Sequence, residues 1–181
     1  MKSKLIHKEF KLQGIPFTSN GIMEYLKEKK DYYNFLKSWF DHKDYILTKT
    51  SGSTGNPKEI KLKKLDLIES SKLTARYLDL KVGDKVINCL PIKYIAGKMM
   101  LVRSLVLGLD LYIFPVTSSP ISDLKNNYEL IAFTPLQLEN SIPFIEKIKK
   151  VLVGGSPVQK TLKKKILNSK STVYETYGMT E

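Results

Sequence analysis

The sequence predicts an α/β fold: a mostly parallel sheet flanked by helices, with an antiparallel hairpin that carries a Gly/Ser/Thr loop. From about residue 85 onward, short apolar runs alternate with helical segments, the pattern of a parallel sheet built from crossover units. Ahead of them, Tyr45-Ile46-Leu47 leads into Thr50-Ser51-Gly52-Ser53-Thr54-Gly55. Glu59 to Lys63 then alternates polar and apolar residues with period two, as a strand with one wet face does. At 181 residues, 42% hydrophobic and 10% aromatic, the chain suffices for one domain with a substantial core.

Taken in order, residues 4–18 carry two short strand-like pieces around Gly14 and Pro16. Ser19 is placed to cap a helix presenting Ile22, Met23, Tyr25 and Leu26, and Asp31 to cap a second one carrying Tyr32, Phe35, Leu36, Trp39 and Phe40. The hairpin spans about 44–64. Residues 65–80 form an amphipathic helix with Leu65, Ile68, Leu73, Tyr77 and Leu80 inward, and Gly83-Asp84 turns into a buried strand over 85–90. Pro91 ends that strand, and 94–98 lead into a helix through about Leu107 that is apolar nearly all round, which predicts burial. Strands follow at 109–114, 128–133, 150–153 and 172–174. Between them come a Pro/Ser loop (115–122), a short helix opened by Thr134-Pro135, and a lysine-rich helix over about 158–168. In an open α/β sheet ligands sit beyond the strand C-terminal ends, which points to the loops 91–98, 154–157 and 175–181.

Composition narrows the function. Cys89 is the single cysteine, so no disulfide framework exists, and its apolar neighbours read as a buried strand thiol in a reducing compartment, the cytoplasm. Residues 1–11 lack the apolar core of a signal peptide, and no run has the length of a membrane span. The net charge of +12 raises nucleic-acid binding, but Arg76 and Arg103 are the only arginines. Phosphate and base recognition favours the guanidinium fork over the lysine point charge. The lysines are also spread along the chain.

The string 50–58 has a chemistry of its own. Gly52 and Gly55 allow positive φ and close backbone approach, so that successive N–H groups can form an anion nest. Ser51, Ser53 and Thr54 add hydroxyls and Lys58 adds a charge, together a polyphosphate grip. A Walker A loop fits poorly, because it needs lysine directly after the last glycine and then a helix. Here Asn56-Pro57 intervene and a strand follows.

The string Thr50-Ser51-Gly52-Ser53-Thr54-Gly55-Asn56-Pro57-Lys58 resembles the phosphate-loop signature of the adenylate-forming superfamily, which includes acyl-CoA synthetases, luciferases and peptide-synthetase adenylation domains. About 120 residues later, Tyr174-Glu175-Thr176-Tyr177-Gly178-Met179-Thr180-Glu181 resembles its adenine and magnesium motif. The resemblance implies that residues 50–55 and Lys58 bind the ATP phosphates, and that Gly154, Gly155, Ser156, Tyr177 and Gly178 bind adenine, with Tyr177 stacked on the base. It also implies that Thr180 contacts the α-phosphate region, that Glu181 holds Mg²⁺, and that Lys58, Thr180 and Glu181 serve catalysis. A hard dication among phosphates does want a carboxylate oxygen.

Leu90-Pro91 with 94–98 is similar to the family's acyl-binding segment, although Tyr94 stands where many acyl-CoA ligases carry histidine. By resemblance Tyr94, Gly97, Lys98, Arg103 and Thr176 meet the acyl substrate, and residues 94–103 look most like a compact branch of o-succinylbenzoate–CoA ligases of menaquinone biosynthesis. That substrate is an aromatic dicarboxylate, whose non-reacting carboxylate Lys98 or Arg103 could pair. Five residues apart, the two lie about 140° around a helix, so both need not serve one site. Equally, the lysine could snorkel and the arginine pair with a protein carboxylate. The implied reaction activates a small-molecule carboxylic acid with ATP and Mg²⁺, then transfers the acyl group to coenzyme A.

By the same resemblance the ribose-binding aspartate, the hinge and a catalytic lysine lie beyond Glu181. Residues 1–181 then read as an incomplete N-terminal AMP-binding domain, inactive alone, without the C-terminal catalytic domain. A non-catalytic nucleotide-binding module and a nucleic-acid-binding protein remain as other readings. A downstream Tyr-x-Thr-Gly-Asp and a late lysine would separate the enzyme from both.

Overall fold

A strand apolar at successive positions must be covered on both faces, and the central strands here are of that kind. In the computed structural model, which describes residues 5–49 and 59–176, strands β5 (Lys85–Asn88) and β7 (Tyr128–Phe133) are buried almost throughout. They lie inside a seven-stranded sheet of order β2-β1-β6-β5-β7-β8-β9. Its remaining strands are β1 (Lys11–Leu12), β2 (Ile15–Pro16), β6 (Asp110–Ile113), β8 (Ile148–Val153) and β9 (Thr172–Glu175). All neighbours are parallel except β1 and β2, which form an antiparallel edge hairpin. Strands β3 (Tyr45–Lys49) and β4 (Glu59–Lys63) pair antiparallel in a separate sheet, in the register Tyr45↔Lys63 to Lys49↔Glu59.

Period-two alternation splits the apolar residues between two cores. Val86, Leu111 and Leu130 face one side with Trp39, Met100 and Leu105. Ile87, Ile131 and Val151 face the other with Phe133, Leu138 and Leu162. From β5 the chain passes to β6 on one side and then to β7 on the other. The winding therefore reverses at β5, and a crevice opens at the C-terminal ends of β5 and β7.

Helix α1 (Ser19–Tyr25) is capped by Thr18, whose Oγ1 accepts from the Gly21 N–H at 3.2 Å, not by Ser19 as expected. Helix α2 (Lys30–Phe40) follows Lys29 without a side-chain cap, and Asp31 lies in its first turn. Helix α3 (Lys64–Tyr77) departs most from expectation. Leu65, Leu73 and Tyr77 are exposed, at 61%, 58% and 77%, while Lys64, Leu67, Ile68 and Ser71 are buried. The helix is turned about its axis because Lys64 reaches inward to Asp41 (2.8 Å) and the Ser71 hydroxyl donates to the Leu67 carbonyl (2.8 Å). Two polar residues can thus occupy the packed face, and the leucine count misread its phase.

Helix α4 (Ile95–Leu107) is buried over most of its length, as its composition predicts, and ends on Gly108 in the left-handed conformation (φ 71°). Strand β5 ends at Asn88 rather than Leu90, and β8 begins at Ile148, two residues ahead of the expected start. Helix α5 (Pro135–Ser141), a 3-10 turn (Ile142–Lys147) and α6 (Lys160–Ile166) complete the chain. Among the described residues no helix is long and apolar enough to cross a membrane.

Candidate active site

The crevice at the winding reversal opens into a cavity of about 910 Å³. Its walls come from the ends of β5 (Leu90, Pro91), β7 (Phe133, Thr134) and β8 (Gly154, Gly155), from Thr176 after β9, and from the α4 face carrying Tyr94, Met99 and Arg103. Two of the three loops expected at strand ends, 91–98 and 154–157, contribute to it. Of the third, Glu175 and Thr176 lie within the described residues, and Thr176 lines the cavity.

Local chemistry holds each wall. Asn88, buried at the end of β5, donates from Nδ2 to the Gly97 carbonyl (3.2 Å) and to the Tyr32 hydroxyl (3.1 Å), while its Oδ1 accepts from the Leu90 N–H (3.2 Å). The acyl-segment loop is thereby tied to both α4 and α2. The Gly154 N–H donates to the Phe133 carbonyl (3.1 Å), and a Cβ on Gly154 would meet Thr176 Oγ1 at 2.6 Å. Gly155 has φ +91° and open space where a Cβ would stand. Backbone lies bare there.

Gln137 was not singled out from the sequence, yet it organises the opposite wall. Its Nε2 donates to the Thr117 carbonyl (2.9 Å) and the Cys89 carbonyl (3.3 Å), and its Oε1 accepts from the Thr134 N–H (3.0 Å). The signal was present, since Thr134-Pro135-Leu136-Gln137 is a capping-box sequence and α5 is capped that way. Cys89 itself is fully buried, and burial pushes its thiol up to about 12, away from reactivity.

Electrostatically the cavity has one feature. Among the described residues lining it, Arg103 is the sole charged side chain. Its Nε is shut off from solvent without a hydrogen-bond partner among the described residues, and an Nη donates to the Met100 sulfur at 3.7 Å. No carboxylate among the described residues lies within ion-pairing distance of this guanidinium. Desolvation pulls its pKa down to about 10, which leaves it cationic at neutral pH.

Residues 27–181 match the family described as AMP-binding enzyme. The chain belongs to that family. It is 22% identical to a 2-succinylbenzoate–CoA ligase of Bacillus cereus, over 96% of this chain and 37% of that protein. It is 28% identical to the 2-succinylbenzoate–CoA ligase of Bacillus subtilis, over 73% and 29%. Among solved structures it resembles an acyl-CoA synthetase (AMP-forming)/AMP-acid ligase II-like protein of Dyadobacter fermentans, with 35% identity, a TM-score of 0.75, and coverage of 83% of this chain and 45% of that one. The fold is also that of the Bacillus subtilis o-succinylbenzoate coenzyme A synthetase complexed with ATP and magnesium ion (TM-score 0.67, 18% identity, 91% and 43% covered). The chain spans about a third of the length of the curated relatives it matches.

Of the residues read as site residues in this member of the AMP-binding family, the cavity brings together Tyr94, Arg103, Gly154, Gly155 and Thr176. Gly97 and Ser156 are not among its lining residues. Lys98 is turned away: it lines a separate cleft of about 210 Å³ with Asp31, Asn34 and Ser38. The phosphate string (Thr50 to Lys58) and Tyr177, Gly178, Thr180 and Glu181 lie outside the described residues.

Proposed function

We propose that the enzyme to which this chain contributes activates an aromatic dicarboxylic acid with ATP and passes it to coenzyme A, as an o-succinylbenzoate–CoA ligase does. The observation that carries this reading is the Arg103 guanidinium, which among the described residues has no carboxylate partner and is the only charge lining an otherwise largely apolar cavity. A monocarboxylic substrate consumes its one carboxylate at the reacting phosphorus and leaves such a cation unsatisfied. A second carboxylate satisfies it, and charge-assisted pairs of this kind are the strong ones. The aliphatic and aromatic walls (Leu90, Met99, Phe133) supply the surface for a ring.

The chemistry then has two halves. The reacting carboxylate attacks the α-phosphorus of ATP, forming an acyl-phosphate bond and releasing pyrophosphate. The coenzyme A thiol, losing its proton, attacks the acyl carbon and releases AMP. On this reading the bare backbone at Gly154-Gly155 receives the adenine ring, residues 50–58 hold the phosphates, and Thr180 lies near the α-phosphate. Glu181 would hold Mg²⁺, which would supply charge neutralisation on the phosphates. Positioning and charge complementarity carry such reactions. We assign the remaining catalytic groups to segments outside residues 1–181, and the lone buried thiol suits a reducing, cytoplasmic setting.

The test is direct. The full-length enzyme, given ATP, Mg²⁺, coenzyme A and a panel of acids, should yield AMP and the thioester by mass spectrometry, with aromatic dicarboxylates first in kcat/KM. Residues 1–181 alone should bind ATP weakly and yield no thioester. Preference for an aliphatic monocarboxylate would overturn the substrate reading, and robust turnover by residues 1–181 would overturn the division of labour.

A further inference from the structure

Lys98 lies in the first turn of α4, on the side of the helix away from the acyl cavity. It is 8% exposed, and its Nζ donates to Thr48 Oγ1 at 2.7 Å and to the Lys93 carbonyl at 3.2 Å. Thr48 is itself 3% exposed, on β3, and the string 50–58 follows two residues further along the chain. No carboxylate among the described residues comes within ion-pairing distance, although Asp31 shares the cleft. Burial alone pulls the ammonium below the ordinary lysine range. A methionine or leucine would be the inexpensive choice at such a position.

What Lys98 joins is informative. The β3–β4 hairpin is a sheet of its own, separate from the seven-stranded sheet that builds the acyl cavity. Among the described residues, Lys98–Thr48 is the one side-chain hydrogen bond linking either hairpin strand to the rest of the molecule. The same helix carries Arg103 and Met99 on its cavity face. We infer that Lys98 is a positioning residue: through Thr48 it sets the β3–β4 hairpin, whose two strands flank residues 50–58 in the sequence, against the helix that lines the acyl cavity. It acts on ATP through the hairpin and does not touch the acid. This rests on the adenylation reading above only for its kinetic consequence.

The full-length enzyme tests it with Lys98→Met, Thr48→Val, the double variant, and Thr48→Ser, which keeps the hydroxyl. In acyl-adenylate formation, K98M and T48V should each raise KM for ATP about three- to tenfold, the worth of one ordinary hydrogen bond, with KM for the acid within about twofold. The double variant should be no worse than the more impaired single one, because both changes break the same bond, and T48S should behave as wild type. Amide exchange over Tyr45–Lys49 should quicken in K98M and T48V while β7 and β8 keep wild-type protection. A raised KM for the acid with KM for ATP unchanged, additive losses, or unaltered exchange in β3 would each overturn the inference. If the wild-type enzyme adenylates no acid, the functional reading fails, and amide exchange still decides whether Lys98 holds the hairpin.

Discussion

Gly97 bears on the acyl site without lining it. A Cβ there would stand 2.4 Å from the Pro91 carbonyl oxygen and 2.9 Å from that of Leu90, so the first turn of α4 can lie against the loop only if this residue has no side chain. Asn88 then spans the junction through the Gly97 carbonyl and the Leu90 N–H. Gly97→Ala must push these backbones apart, at a cost of about 1–3 kcal/mol, which urea unfolding of the variant measures; an unchanged midpoint would contradict the close packing. The sequence singled out Gly97 by resemblance but could not say why it is glycine, because the atoms it would strike belong to a loop six residues earlier. The helical angle between Lys98 and Arg103, in contrast, was legible: about 140° on a wheel puts the two on different sides. They line different cavities. Which of them would meet the acid required knowing what else packs on α4.

Helix α3 marks where pattern reading stopped. Counting leucines put Leu65, Leu73 and Tyr77 inside, and all are exposed. The inward turn is anchored by Lys64, 3% exposed, whose ammonium binds the Asp41 carboxylate at 2.8 Å and the Asp41 carbonyl at 3.2 Å. A buried lysine has no signature in apolar periodicity, and its partner lies 23 residues earlier. Burial works to raise the Asp41 carboxyl, but the Lys64 hydrogen bond, the Lys43 N–H and the two lysine charges outweigh it, leaving the pKa below the usual value. A carboxyl lowered in the folded state contributes stability above its unfolded pKa and loses it as pH falls through the folded one. Asp41→Asn should therefore cost about 1–3 kcal/mol at pH 7, read by urea unfolding. The gap to wild type should close in strong acid. A gap independent of pH would show that the Asp41 charge has no part in holding α3.

At the scale of the whole molecule, the alternation of strands and helices after residue 85 sufficed to anticipate the parallel sheet and the face on which its cavity opens. It could not give the strand order, on which the winding reversal at β5 depends, because order is decided by which crossover packs on which face. That reversal brings Leu90, Phe133, Gly154 and Arg103, distant in sequence, around one space. It leaves Arg103 as the only charge there among the described residues. The claim on which the functional account turns is that this guanidinium receives a carboxylate that does not react. The most direct measurement is kcat/KM of the full-length enzyme for o-succinylbenzoate and for its half-ester, with the non-reacting carboxylate masked, in wild type and Arg103→Ala. The account predicts that wild type prefers the free diacid by roughly ten- to a hundredfold, the worth of a hydrogen bond to a charged group. It also predicts that R103A loses that preference by losing activity toward the diacid while the half-ester is little affected. An R103A enzyme that slows equally on both acids, or keeps the wild-type preference, would contradict it.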